Sequence, residues 1–433
     1  MKRIIYLFAI LAFGVNAFAQ ETNPEATEEK KEETQEFKIS AEIRPRMEYY
    51  HGYKTLAAPD QEHGLSISQR TRLNMDFNNS NFIVRLSLQD VRIWGDEPQL
   101  ATNDTLGNSI HEAWGEAIIS PIFSIKVGRQ EIVYDDHRIF GNVGWAQQAR
   151  SHDAAVFKLK TGDLRAELAI AYNQNNAYLN TTVNNPVFTY KAFQNLWMNY
   201  KFSDQFDASL LVLNNGLQTA GGGDAYSQTV GTRLSYKTDA ISAHLAGYYQ
   251  GGEDASTTDV KANYFSLDAT YKVNDMFSAG LGYERLSGND QTDPNNENNA
   301  FTPFYGTNHK FNGHMDYFYV GNPHGGVGLQ DIFLQLNAKM PKFTIGINAH
   351  YFLAAADVAD PVNAGETMSK ALGNEIDLFF GFNLTKGVAF KGGYSQMFAT
   401  ATMEAVKGGS KDETSNWGYA MITFTPELFS HKK

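Results

Sequence analysis

The stretch FKISAEIRPRMEY, residues 37–49, decides the fold. Every odd position is apolar or proline, while Lys38, Ser40, Glu42, Arg44, Arg46 and Glu48 fill the even ones. A period of two sends alternate side chains to opposite faces of an extended chain. The next segment repeats it, with Leu65, Ile67, Leu73, Met75 and Phe77 on one face and Ser66, Ser68, Arg70, Arg72, Asn74 and Asp76 on the other. Such strands have an apolar solvent on one face and a polar one on the other.

Working outward, the pattern recurs in about 18 segments. They span 37–50, 65–77, 82–94, 109–120, 123–134, 153–160, 164–174, 190–201, 206–215, 226–237, 241–250, 260–272, 276–287, 328–340, 342–353, 371–383, 388–398 and 415–425. Most reach the 9–11 residues, roughly, that a tilted membrane-spanning strand needs. Connections after even-numbered segments are tiny, such as Ser120-Pro121 and Asn274-Asp275. Those after odd-numbered segments are mostly longer, the longest being Gly288–Val327. Short turns at one end and long loops at the other belong to outer-membrane barrels, with the long loops outside. The spacing therefore predicts one antiparallel up-and-down transmembrane β-barrel over residues 37–433, all-β, with both termini in the periplasm. Tyr200, Tyr236 and Tyr271, each just before a short turn, are expected in an inner aromatic girdle; Tyr49, Tyr172, Tyr249, Tyr283 and Tyr351 are expected in an outer one.

The N-terminus agrees with this compartment. Lys2 and Arg3 precede an apolar run, Ile4–Phe13, and the small-x-small site Ala17-Phe18-Ala19. That is the pattern of a cleaved secretory signal peptide over residues 1–19. Residues 20–36 are rich in Glu and carry no aromatic, which predicts a disordered acidic periplasmic tail. The chain has no cysteine, so disulfides and thiolate metal sites are excluded. Its net charge of −12 argues against nucleic acid as a partner.

A barrel this wide is not filled by its own wall, so its inner face is the functional surface. Nine of the 13 arginines lie between Arg44 and Arg150. By parity Arg44, Arg46, Arg70, Arg72 and Arg85 point inward, with Lys126, Lys158 and Lys160. Glu42, Glu48, Asp76, Glu112, Glu116 and Asp153 are interleaved acids. Arg92 and Arg129 have the wrong parity, but the apolar phase switches near both: Leu86 and Leu88 give way to Val91 and Ile93, and Ile125 and Val127 to Ile132 and Tyr134. β-Bulges near Gln89 and at Gly128 would turn both inward. Arginine pairs bidentately with carboxylate and phosphate, so a lumenal ladder reads as an anion track, against the plainer reading that each arginine braces the wall.

Other chemistry is sparse. His309, His314 and His324 share the longest loop without tight ligand spacing, so no metal is expected. Ser242 with His244, and Asn348 with His350, are polar lumenal pairs of the kind a wet lumen carries. No nucleotide-cradling loop or nucleophile elbow occurs, and no cofactor is expected. The alternatives to a channel are a barrel enzyme working through a lumenal histidine and an adhesive or structural barrel working through its loops.

Several stretches are similar to the alginate-export family of outer-membrane porins: AEIRPRME (41–48), QRTRL (69–73), VGRQE (127–131), DHRIFG (136–141), ARSHD (149–153), YGTNHKF (305–311), HMDYFY (314–319), GNEID (373–377) and GYSQM (393–397). The resemblance runs from about Phe37 to Phe424. It implies an 18-stranded barrel in the outer membrane whose electropositive constriction passes an acidic polysaccharide such as an alginate-like polyuronate. Carried over, Arg44, Arg46, Arg72, Arg129, Arg138 and Arg150 would be the constriction arginines.

Overall fold

A computed structural model describes residues 34–100, 108–174, 177, 190–294, 296–318 and 326–433. The expected signal peptide and nearly all of the acidic tail lie outside these residues. The first strands are β1 (Glu36–His51), β2 (Gly64–Asn78), β3 (Phe82–Ile93), β4 (Ser109–Ser120), β5 (Phe123–Gln130) and β6 (His152–Thr161). Next come β7 (Leu164–Tyr172), β8 (Ala192–Lys201), β9 (Phe206–Gln218), β10 (Asp224–Lys237), β11 (Ile241–Glu253), β12 (Asp259–Lys272) and β13 (Phe277–Leu286). After a two-residue strand, β14 (Glu297–Asn298), the wall resumes with β15 (Leu329–Lys339), β16 (Phe343–Leu353), β17 (Ala371–Thr385), β18 (Val388–Ala399) and β19 (Ser415–Phe424). β20 (Glu427–Lys432) carries the last strand on past Pro426 and pairs with the start of β1.

Each wall strand pairs antiparallel with the next, and β19 pairs with β1, closing a barrel of 18 strands. β14 pairs only with the outer end of β12 and belongs to the long loop. Closure gives every wall strand two partners, which satisfies the backbone where no water can. Gln35 and Lys433 exchange backbone hydrogen bonds, so both ends of the barrel sit at the short-turn end.

The expected faces hold. Leu65, Val127, Leu267 and Leu281 are exposed on the outer wall, where lipid covers them. Tyr200, Tyr236 and Tyr271 are exposed near the short turns, and Tyr172, Tyr249 and Tyr351 near the other end. No helix among the described residues is long and apolar enough to cross a membrane.

The core lies inside the barrel and is built from two long connections that turn inward. Residues 131–151, between β5 and β6, cross the lumen: Asp135 accepts from Trp197 Nε1 on β8 at 3.1 Å and from Ser209 Oγ on β9 at 2.9 Å. Residues 301–318 of the connection between β13 and β15 pack beside them. Phe140, Phe193, Tyr190, Tyr305 and His152 form one buried aromatic cluster between the two loops and the wall. This explains the apolar phase switch after Val127. Ile132 and Tyr134 are buried inside the barrel, beyond the end of β5, and not on its lipid face.

Candidate functional site

The lumenal wall of β1–β3 presents its arginines where parity puts them, and the inward loop meets them there. Arg44 donates to the backbone oxygens of Gly144 (2.8 Å), Trp145 (3.1 Å) and Ala146 (3.2 Å) and to Gln147 Oε1 (2.9 Å). Arg46 donates to the Trp145 carbonyl at 2.7 Å and to Glu48 at 2.8 Å, with its guanidinium 4.2 Å from the Trp145 ring centroid. Arg70 holds Glu42 at 2.6 Å and reaches the Gln147 carbonyl at 3.4 Å. A buried loop exposes carbonyls that must find donors. A guanidinium offers five donors in a rigid fork, so the arginines fasten the loop rim. For Arg44, Arg46 and Arg70 the bracing role is thus part of the geometry.

Arg72 and Arg85 differ. Arg72 donates to Gln89 Oε1 at 2.7 Å, and Arg85 bridges Glu112 (2.6 Å) and Asp76 (2.8 Å); both are half-buried, and these bonds go to the wall and not to the inward loop. Arg138 and Arg150 are carried by the loop itself. Arg138 is buried, donating to Glu284 Oε2 at 2.7 Å and Asn312 Oδ1 at 2.9 Å, with the Phe311 ring 4.4 Å away. Arg150 donates to the Gly306 carbonyl of the second loop at 3.1 Å.

Arg129 is a correction. From Ile118↔Ser124 to Ala113↔Arg129 β4 and β5 pair without a shift, the one irregularity lying at the turn end between Ile118 and Ser120, so Gly128 adds no bulge. Arg129 keeps the face of exposed Val127 and pairs across the outer wall with Asp153 at 2.9 Å, which moves Asp153 out of the lumen too. Gly128 has φ +125°, and a Cβ there would stand 2.3 Å from the Ala113 carbonyl. The glycine permits close approach of strands and not an extra residue. Arg92 likewise stays outward, bonded to Asp90 at 2.7 Å, because β2 and β3 pair without a shift as far as Ser68↔Ile93. The bulge in this region lies on β4. Ser87 pairs with Glu112 and Leu88 with Ile110, leaving His111 unpaired between them, so His111 and Glu112 are both buried.

Sequence reasoning missed the middle of the lumen. Arg233 on β10 pairs with Asp136 at 2.8 Å, and Lys310 donates to the Asp136 carbonyl at 2.8 Å. These groups, with Asp268, Glu284, Asp331, Gln335 and His350, line a cavity of about 260 Å³ beneath the loops. Burial pushes the Asp135 carboxyl up to about 6 despite the bonds from Ser209 and Trp197. Burial also lowers the Lys310 ammonium below its usual range. The DHRIFG and YGTNHKF stretches and the polar pairs Ser242 with His244 and Asn348 with His350 pointed here, but Arg233, Asp268, Glu284 and Asp331 were not singled out. Ser242 Oγ does lie 3.1 Å from His244 Nε2.

The match to known proteins follows this geometry. Comparison with curated protein sequences returns no match. Solved structures share the fold at low identity. Pseudomonas aeruginosa OccK11 (OpdR) aligns at 12% identity and TM-score 0.60, over 91% of this chain and 96% of that one. Outer membrane protein OprD from Pseudomonas aeruginosa aligns at 14% and 0.59, over 90% and 94%. A family model described as alginate export matches residues 35–415, nearly the whole barrel. The chain belongs to the alginate export family and is an outer-membrane β-barrel channel.

Proposed function

We propose that this channel passes anionic carbohydrate, an alginate-like polyuronate or smaller anions, along the wall formed by β1–β6, and that it does so without catalysis. The observation that carries the reading is the charge on that wall. Arg44, Arg46, Arg70, Arg72, Arg85, Lys126, Lys158 and Lys160 face inward, against Glu42, Glu48, Asp76, Glu112 and Glu116. Fixed cations in a partly desolvated passage lower the energy of an anion in transit and raise that of a cation. Arg44, Arg46 and Arg70 spend donors on the loop, so the selectivity falls to the other two arginines of this wall: chiefly Arg72, whose bonded partner is the neutral Gln89, and then Arg85, which Asp76 and Glu112 share.

The test is block by an added polyuronate in planar bilayers. It should reduce the wild-type current, and Arg72→Gln with Arg85→Gln should weaken the block severalfold while the barrel still conducts. Equal block of both proteins would remove the arginine wall from the mechanism.

A further inference from the structure

The cavity beneath the loops carries polar groups that the fold leaves unused. It holds about 260 Å³, the room of roughly eight waters at about 30 Å³ each. Most of its acids are already matched. Glu284 takes Arg138 at 2.7 Å, Asp136 takes Arg233 at 2.8 Å, and Asp331 stands 2.9 Å from His350 Nδ1. Other groups are free. Among the described residues, the side chains of Asp268 and Gln335 make no hydrogen bond, and His244 Nδ1 is buried without a partner. Lys310 spends one of its three donors, on the Asp136 carbonyl at 2.8 Å.

One side of the cavity is an aromatic ring. Phe333 on β15 and Gly282 on β13 are cross-strand partners, and a Cβ on the glycine would stand 2.1 Å from Phe333 Cζ. The ring is folded down over the bare glycine and lines the cavity, half-buried. Covering the backbone accounts for the pose of the ring. It does not account for the unused polar groups beside it. The face of an aromatic ring carries partial negative charge, so it attracts the C–H edges of a saturated ring. A carboxylate suits the two free donors of Lys310. Hydroxyls can donate to Asp268 and exchange hydrogen bonds with Gln335 and His244.

The geometry points to a saccharide subsite in which one hexuronate ring stacks on Phe333, with its carboxylate at Lys310 and its hydroxyls at Asp268, Gln335 and His244. This rests on the reading of the channel as a path for anionic carbohydrate, and it adds a stop on β11–β15, away from the arginine wall. The volume admits a single sugar ring and not a stretch of polymer. An α-amino acid would also span Lys310 and Asp268, but it leaves Gln335, His244 and the Phe333 face without a role.

The experiment uses the full-length barrel purified in detergent, titrated with glucuronate, glucose, propionate and glycine and followed by saturation-transfer NMR. Glucuronate should bind more tightly than glucose, which lacks the anion, and than propionate, which lacks the ring. Lys310→Gln should weaken glucuronate by roughly tenfold, the loss of one charged hydrogen bond, and bring it level with glucose. Phe333→Leu should weaken both sugars and leave propionate unchanged. Asp268→Asn keeps an acceptor for hydroxyls, so it should retain the sugars, whereas a ligand held by its ammonium would be lost. The Arg72→Gln, Arg85→Gln double variant should bind glucuronate as the wild type does. Polyuronate block that ignores those two arginines, with glucuronate still bound here, sinks the arginine wall and spares this site. Heat-modifiable gel mobility checks that each variant is folded, and if one misfolds the ranking of the four probes on the wild type decides. Propionate or glycine bound as tightly as glucuronate, or glucuronate binding unchanged in both the Lys310 and Phe333 variants, would overturn the proposal.

Discussion

Single residues carry more of the inner architecture than the strands do. Arg138 is sealed between the two loops with Glu284 as its ion partner. Replacing it by Gln leaves a buried carboxylate unpaired, a loss of about 3–5 kcal/mol for pairs of this kind. Arg138→Gln should therefore open the 287–328 loop to protease while the wall stays assembled, and Lys should not restore protection, because an ammonium lacks the guanidinium's planar fork. A loop as resistant as the wild type's would show that Arg138 bears no load. Asp135 predicts a pH response. Its folded value of about 6 lies above the unfolded carboxyl value of about 3.9, so the folded state holds more protons between them. Its stabilising contribution is present below about pH 4 and is lost as pH rises through 6. Hydrogen exchange over residues 131–151, corrected for intrinsic rates, should quicken from pH 5 to 7, and Asp135→Asn should flatten the change. An identical slope in the variant would place the response elsewhere.

At the scale of elements, the wall was legible in the sequence because period two reports which face meets lipid, and all 18 spanning segments lie where alternation put them. The loops were not legible. Alternation tells apolar from polar surroundings, but it cannot tell lipid outside from packed protein inside. Ile132 and Tyr134 were therefore read as outward, which produced the unneeded bulge at Gly128. Val91 and Ile93 misled in the same way about Arg92, since their parity places them on the lumenal side. Parity put Arg44, Arg46 and Arg70 on the face that meets the inward loop, yet which arginines fasten that loop depends on where the carbonyls of residues 144–147 fall, and no local pattern carries that. Two element-level outcomes follow. Gly128→Ala should impair barrel assembly, seen as loss of heat-modifiable mobility, because the added methyl meets the Ala113 carbonyl at 2.3 Å; normal assembly would mean that β4 and β5 separate easily. An epitope at residues 363–366, exposed in the loop after β16, should be stained on whole cells, and one at 238–240 should not. The reverse pattern would invert the barrel.

At the scale of the molecule, the chain is a wide barrel narrowed from within, with a basic wall on β1–β6 and carboxylates on the facing side at Asp268, Glu284, Asp331, Glu375 and Asp377. The inward loops narrow that lumen, and under the proposed function the half-buried Arg72 and Arg85 have the task of setting its sign for a passing ion. The most direct test is the reversal potential across a planar bilayer under a potassium chloride gradient, for wild type and for the Arg72→Gln, Arg85→Gln double variant. The account predicts anion preference in the wild type and a shift towards cation preference in the variant. The difference should shrink near 1 M salt, where the screening length is about 3 Å. A wild type without anion preference, or a variant with an unchanged reversal potential at low salt, would contradict it.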